Sequence, residues 1–180
     1  MVETERRDGR RIAELLASEI DGRSSGPLGR LTVSNPDRSV EGNPGGERAY
    51  DVRVLRADRD PRRVPEPDEA GELFARVFVH PERAHVEFHR GVDASGQHAA
   101  EVGLRVRPKA TRPPKTLVFV ERAADVKRMS DVFEAAVDAA AADAAADDGE
   151  AGDGDGEASD GGRDGASTNQ ENEGSNPVGR

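Results

Sequence analysis

Large apolar residues run out at Val137. Of the 43 residues that follow, only Val178 is one. Whatever core this chain builds must therefore come from residues 1–137, which is enough for one domain and too little for two. The charge breaks at the same place. Residues 1–137 carry 24 Lys and Arg against 24 Asp and Glu, whereas residues 138–180 carry 12 acids against Arg163 and Arg180 and hold the whole net charge of −10. Residues 138–146 (DAAAADAAA) favour helix, so a helix reaching Val137 should run on for about two turns. From Asp147 onward the chain lacks the apolar area to offset the ~1–2 kcal/mol per residue that backbone ordering costs. The expectation is a domain over 1–137 and an acidic disordered tail within 138–180. Such a tail could compete with nucleic acid for a basic patch, dock a basic partner, or only keep the protein soluble.

Several classes are excluded. There is no Cys, hence no disulfide scaffold and no thiolate zinc site. No apolar run approaches the ~20 residues of a membrane helix, so no membrane partner is expected. The first residues, MVETERRDGRR, have no apolar segment of a secretory signal. A soluble cytoplasmic protein is expected. Arg outnumbers Lys 23 to 3, and acid is in excess. A GC-rich genome favours Arg, Ala and Gly, and a cytoplasm at high salt favours an acidic surface; together they point to a halophilic archaeon, with a GC-rich actinobacterium as the alternative.

Hydrophobic spacing gives the elements. Ile12, Leu15, Leu16 and Ile20 form one stripe of a helix over 9–21, with Asp8 as N-cap and Gly22 as stop. A short strand is expected around Leu31–Ser34. Residues 35–47 (NPDRSVEGNPGGE) read as an exposed loop. Tyr50, Val52 and Val54 alternate with Asp51 and Arg53, the signature of a half-buried strand. Residues 58–71, with three Pro, read as a long mobile connection. Strands are expected at Leu73–His80 and His85–His89, joined as a hairpin through Pro81, Glu82 and Arg83. A short helix at 93–102 precedes a strand at Leu104–Arg107. Leu117–Val120, an unbroken apolar run, suits a strand buried on both faces. A last helix starts near Ala123–Asp125, with Val126, Met129, Val132, Phe133 and Val137 as its apolar stripe. The order α-β-β-β-β-α-β-β-α predicts an α+β domain: one mainly antiparallel sheet with helices packed on one face.

Two constellations could carry function. Between Glu101 and Glu121 there is no acid but five bases: Arg105, Arg107, Lys109, Arg112 and Lys115. Arg105 and Arg107 share a strand face by period two, and Pro108, Pro113 and Pro114 hold the loop after them extended. Such a row could track a phosphate backbone or hold a carboxylate. It could equally be a strand edge protected by charge and Pro. No aromatic residue interleaves these bases along the chain, so a base-stacking platform is not expected.

The second is His85, Glu87 and His89, which alternate on one strand face, with His80 nearby on the paired strand. Adjacent members are ~7 Å apart and could chelate a metal in pairs, but the ends lie ~13 Å apart, too far for one ion without a bulge. The alternative is the polar face of a half-buried strand. No serine stands in a nucleophile-elbow context, and no Gly-rich piece has the lysine of a phosphate loop. No catalytic residue and no cofactor is expected.

The segment HVEFHRG…LRVRPKATRPPKTLVFVERAADVKR, together with the acidic tail, resembles small haloarchaeal proteins of a domain-of-unknown-function family over roughly residues 6–137. That resemblance implies a cytoplasmic domain and supplies no functional residues. The succession of strands and closing helix in 50–137 is similar in order to the double-wing α+β family, some members of which are thought to bind DNA. The leading expectation is a non-enzymatic macromolecule-binding module using the 104–116 strand and loop, with nucleic acid or protein as partner. The alternatives are a metal or small-ligand enzyme using His85, Glu87 and His89, and a protein with no specific ligand.

Overall fold

The computed structural model describes residues 7–55 and 70–149. The acidic segment beyond these residues, most of the 58–71 connection and the start of the chain lie outside them, and with them the expectations of a disordered tail and a mobile connection.

Helix α1 (Gly9–Asp21) starts where Asp8 accepts a hydrogen bond from the Arg11 amide at 3.1 Å, and its buried stripe is Ile12, Leu16 and Ile20. A 3-10 turn (Pro27–Arg30) leads into β1 (Leu31–Ser34). Strands β2 (Glu47–Leu55), β3 (Ala70–Val79) and β4 (Ala84–Phe88) follow as a meander. Helix α2 (Val92–Glu101) carries the chain across to β5 (Arg105–Lys109), and β6 (Lys115–Val120) turns back between β4 and β5. A 3-10 turn at Ala123–Asp125 opens into α3 (Val126–Gly149).

The result is one six-stranded sheet in the order β1-β2-β3-β4-β6-β5, antiparallel at every pairing. The α+β class and the single antiparallel sheet stand as expected. The β4-α2-β5 passage is a split β-α-β unit, since β6 lies between its two strands. It leaves β5, the basic strand, at the edge.

Side chains alternate across the sheet, and the register sorts them. Val52, Ala75, Val77, Val86, Phe88, Val118 and Val120 are buried on the helix side. Phe133 of α3 packs against Phe88 and Phe74, with ring centroids 4.9 and 6.4 Å apart. Phe74 reaches this side because a register shift between Val52 and Arg53 lets β3 bulge there, so that Phe74 and Ala75 both turn inward. The Tyr50 hydroxyl donates to the Ala13 carbonyl at 2.8 Å and ties β2 to α1. No described helix covers the opposite side.

Two local expectations are corrected. The 35–47 loop is not wholly exposed: Val40 is buried and anchors it, and β2 already begins at Glu47. In the 117–120 run Val118 and Val120 are buried on the helix side and Phe119 on the open side, as a strand buried on both faces requires, but Leu117 is only half-buried. As expected, α3 runs on without a break past Val137, and Ala140 is still buried.

Candidate functional site

The open face of the sheet carries its chemistry in three cross-strand rows. The first runs Arg48, Phe78, His85, Phe119, Arg105 across β2, β3, β4, β6 and β5. The second runs Asp51, Arg76, Glu87, Leu117, Arg107 over the same strands. The third holds Arg53 and Leu73 at one end and Lys115 and Lys109 at the other. These rows contain seven cations against two carboxylates. The face is thus basic in a chain whose net charge is −10.

Both carboxylates are buried and saturated. Asp51 meets Arg48 at 3.0 Å, Arg76 at 3.5 Å and Arg53 at 3.9 Å. Burial alone would raise its carboxyl, but hydrogen bonds from Arg48 and Asn35 and the charges of Arg48 and Arg76 outweigh it and hold it below the usual carboxylate range. Glu87, 6 % exposed, meets Lys115 at 3.0 Å and Lys109 at 3.3 Å. Burial again pushes its carboxyl up, and the two ammonium groups more than reverse this. The acids therefore act as hubs that hold the cations in place while leaving the face a positive surplus.

The five bases singled out from the sequence divide into two kinds. Arg105 pairs with Glu121 at 3.1 Å and lies over the Phe119 ring at 4.1 Å; Lys109 and Lys115 share Glu87. Arg107 and Arg112 are exposed, and neither forms an ion pair among the described residues. Arg105, Arg107 and Lys109 lie on the open face of β5 and Lys115 on that of β6, whereas Arg112 sits in the loop between these strands.

Phe78 and Phe119 were missed. Their rings are placed among the bases by pairing across strands, not by chain neighbourhood, so the expectation that no aromatic group interleaves the bases is overturned. The one signal available was alternation in Lys115, Leu117 and Phe119, hidden by the apolar run on both sides of it.

The histidines do not gather around one point. His85 turns away from Glu87, stacks on Phe78 (4.8 Å between centroids, 6° between planes) and places Nδ1 2.7 Å from Nε2 of His80. His80 Nδ1 stands 3.1 Å from the Pro44 carbonyl. A carbonyl can only accept, so this nitrogen carries the proton; with His80 neutral, its Nε2 accepts from His85 Nδ1–H. Burial lowers both rings, which favours this neutral arrangement. Burial, reinforced by the neighbouring His80, pushes His85 down to about 4. Gly46 closes over the pair, and a side chain there would press on both rings. His89 places Nε2 3.0 Å from Glu87 Oε1 without the alignment of a hydrogen bond. Among the described residues no group of three His, Asp or Glu side chains is arranged to hold a metal ion. No described helix is long and apolar enough to cross a membrane.

Comparison with known proteins adds a family and no activity. No curated protein and no solved structure matches the chain. A family model described as a family of unknown function, DUF7993, matches residues 1–150, which include every described element and the whole open face. The chain belongs to that family.

Proposed function

We propose that this chain is a non-enzymatic, cytoplasmic binding module whose open sheet face takes a phosphate-bearing polymer. The observation that carries this reading is the surplus of cations on a face no described helix covers. Arg105, Arg107, Lys109, Arg112 and Lys115 supply the contacts. Surface ion pairs such as Arg105–Glu121 contribute ~0–1 kcal/mol, so a phosphate readily takes the place of the carboxylate. The buried pairs around Asp51 and Glu87 fix the rows and stay in place. The composition supports a haloarchaeal host, where screening at high salt leaves short-range contact, not long-range steering, to supply affinity.

The test uses the full chain with long-chain inorganic polyphosphate as probe over a series of salt concentrations. The Arg105→Ser, Arg107→Ser, Arg112→Ser triple variant should lose binding while its melting temperature stays nearly unchanged. A doubly substituted control, Arg11→Ser with Lys127→Ser, removes two exposed cations of the helical side and should bind as the parent does. Equal loss in both variants, or undiminished binding by the triple variant, would overturn the assignment to this face.

A further inference from the structure

We propose that the polymer is a single unpaired nucleic-acid strand laid along β5, with successive phosphates on Arg105, Arg107 and Lys109 and a base against the Phe119 ring. This rests on the reading above and narrows it to one ligand class.

Spacing is the first argument. Arg105, Arg107 and Lys109 pair with Phe119, Leu117 and Lys115 in unbroken register, so they stand on one side of the strand. Alternate residues of a strand lie about 6.7 Å apart, close to one nucleotide repeat of an extended strand. Three cations at that pitch match three consecutive phosphates along a line, with Arg112 beyond them in the loop.

The floor beside this row is the second argument. Inward from Arg105 come Phe119, His85 (under Gly46) and Phe78, and inward from Arg107 come Leu117 and then Glu87, whose charge Lys109 and Lys115 take up. The far margin is basic again, with Arg76 on β3 and Arg48 on β2. Arg107 and Arg76 are three strand spacings apart, about 14 Å. A floor of rings and Leu117, its one carboxylate already matched by two lysines, between basic margins suits bases whose faces are free, whereas a duplex buries those faces in its own stack. Every base has such a face, so the site would tolerate many sequences.

Arg105 links the two contacts. Phe119 is only 8 % exposed, and the guanidiniums of Arg105 and Arg83 flank its ring at 4.1 and 5.3 Å. A phosphate that draws Arg105 from Glu121 also draws it off the ring and opens Phe119 to the adjacent base. Phosphate capture and stacking then occur together.

The experiment compares four probes on the full chain: a mixed-sequence single-stranded oligonucleotide, its duplex, polyphosphate of similar charge, and poly-glutamate. The single strand should bind tightest. Its log–log salt dependence should have a slope near −2, since each of three neutralised phosphates contributes about 0.7 in a single strand. Arg107→Ser should reduce that slope by about 0.7. Phe119→Leu should weaken the oligonucleotide at least fivefold, by the roughly 1–3 kcal/mol a stacked base is worth, and leave polyphosphate unaffected. Should Phe119→Leu not fold, Phe78→Leu makes the same comparison from the neighbouring ring. Duplex or polyphosphate binding as tightly as the single strand would overturn this inference and leave the phosphate-binding face standing. Binding of poly-glutamate alone would overturn both in favour of an acidic protein partner, and binding of no probe would overturn both outright.

Discussion

The two faces of this sheet are built from alternating residues of the same strands, yet they are held by different forces. On the helix side Val77, Val86, Phe88, Val118 and Val120 are wholly buried, and their cross-strand partners on β3, β4 and β6 are all uncharged. Across the sheet Asp51 and Glu87 are nearly as buried, yet each is ringed by cations. Apolar burial is non-directional and follows area. Ion networks are directional, and buried ones gain little net stability because desolvation offsets the attraction. The helix side should therefore carry most of the folding free energy. The open side fixes where its side chains stand and keeps a surplus of positive charge.

The largest effect should come from the helix side. Phe133 is fully buried between Phe74 and Phe88. Phe133→Ala should cost about 3–5 kcal/mol in urea-induced unfolding, with binding per folded molecule unchanged. A cost under about 1 kcal/mol would place the core elsewhere.

The next effect belongs to the open side and depends on pH. His85 titrates at about 4 in the folded protein and at about 6.5 when unfolded. As pH falls, the unfolded chain takes up the proton first. Stability from this group is thus complete above about pH 6.5 and is lost as pH drops towards 4, by up to about 3 kcal/mol. His80 and His89, whose burial also lowers them, add to the same limb. Asp51 and Glu87 add a second limb at lower pH, because their folded carboxyls lie below the unfolded value of about 4. Unfolding free energies across this range should fall in two stages, and His85→Asn should shrink the first. Stability that stays flat between about pH 6.5 and 5 would mean that the His80–His85 pair is not held neutral by the fold.

Much of the helix side was legible in the sequence because its signals are local. The stripe Ile12, Leu16, Ile20 and the cap Asp8 lie within one helix, and the alternation of Val86 and Phe88 with His85 and Glu87 lies within one strand. The hairpin between β3 and β4 followed from four intervening residues. The open side was legible only in pieces. Arg48, Phe78, His85, Phe119 and Arg105 form one row, yet β6 enters the sheet between β4 and β5, out of chain order. Period-two alternation says which residues share a side but not which strand lies beside which. Phe119 therefore read as part of an apolar run, and its contact with Arg105 needed the β5–β6 register.

The smallest effect on stability comes with the most informative change in binding. Glu87 lies beneath Lys109 and Lys115, which are 49 % and 21 % exposed. In Glu87→Gln both ammonium groups lose their carboxylate but can still reach water. The cost should therefore fall well short of the ~3–5 kcal/mol of breaking a fully buried pair, at about 1–2 kcal/mol. The same change raises the positive charge of the face by one and frees two cations beside β5. Affinity for single-stranded oligonucleotide should rise, and its salt dependence should steepen as Lys109 and Lys115 engage phosphate fully. On the helix side every loss of contact costs stability and yields nothing. On the open side, loss of a carboxylate should exchange stability for affinity. Should Glu87→Gln weaken binding while the protein stays folded, Glu87 would belong to the ligand site itself, and the division between a stabilising and a binding face would have to be redrawn through the middle of β4.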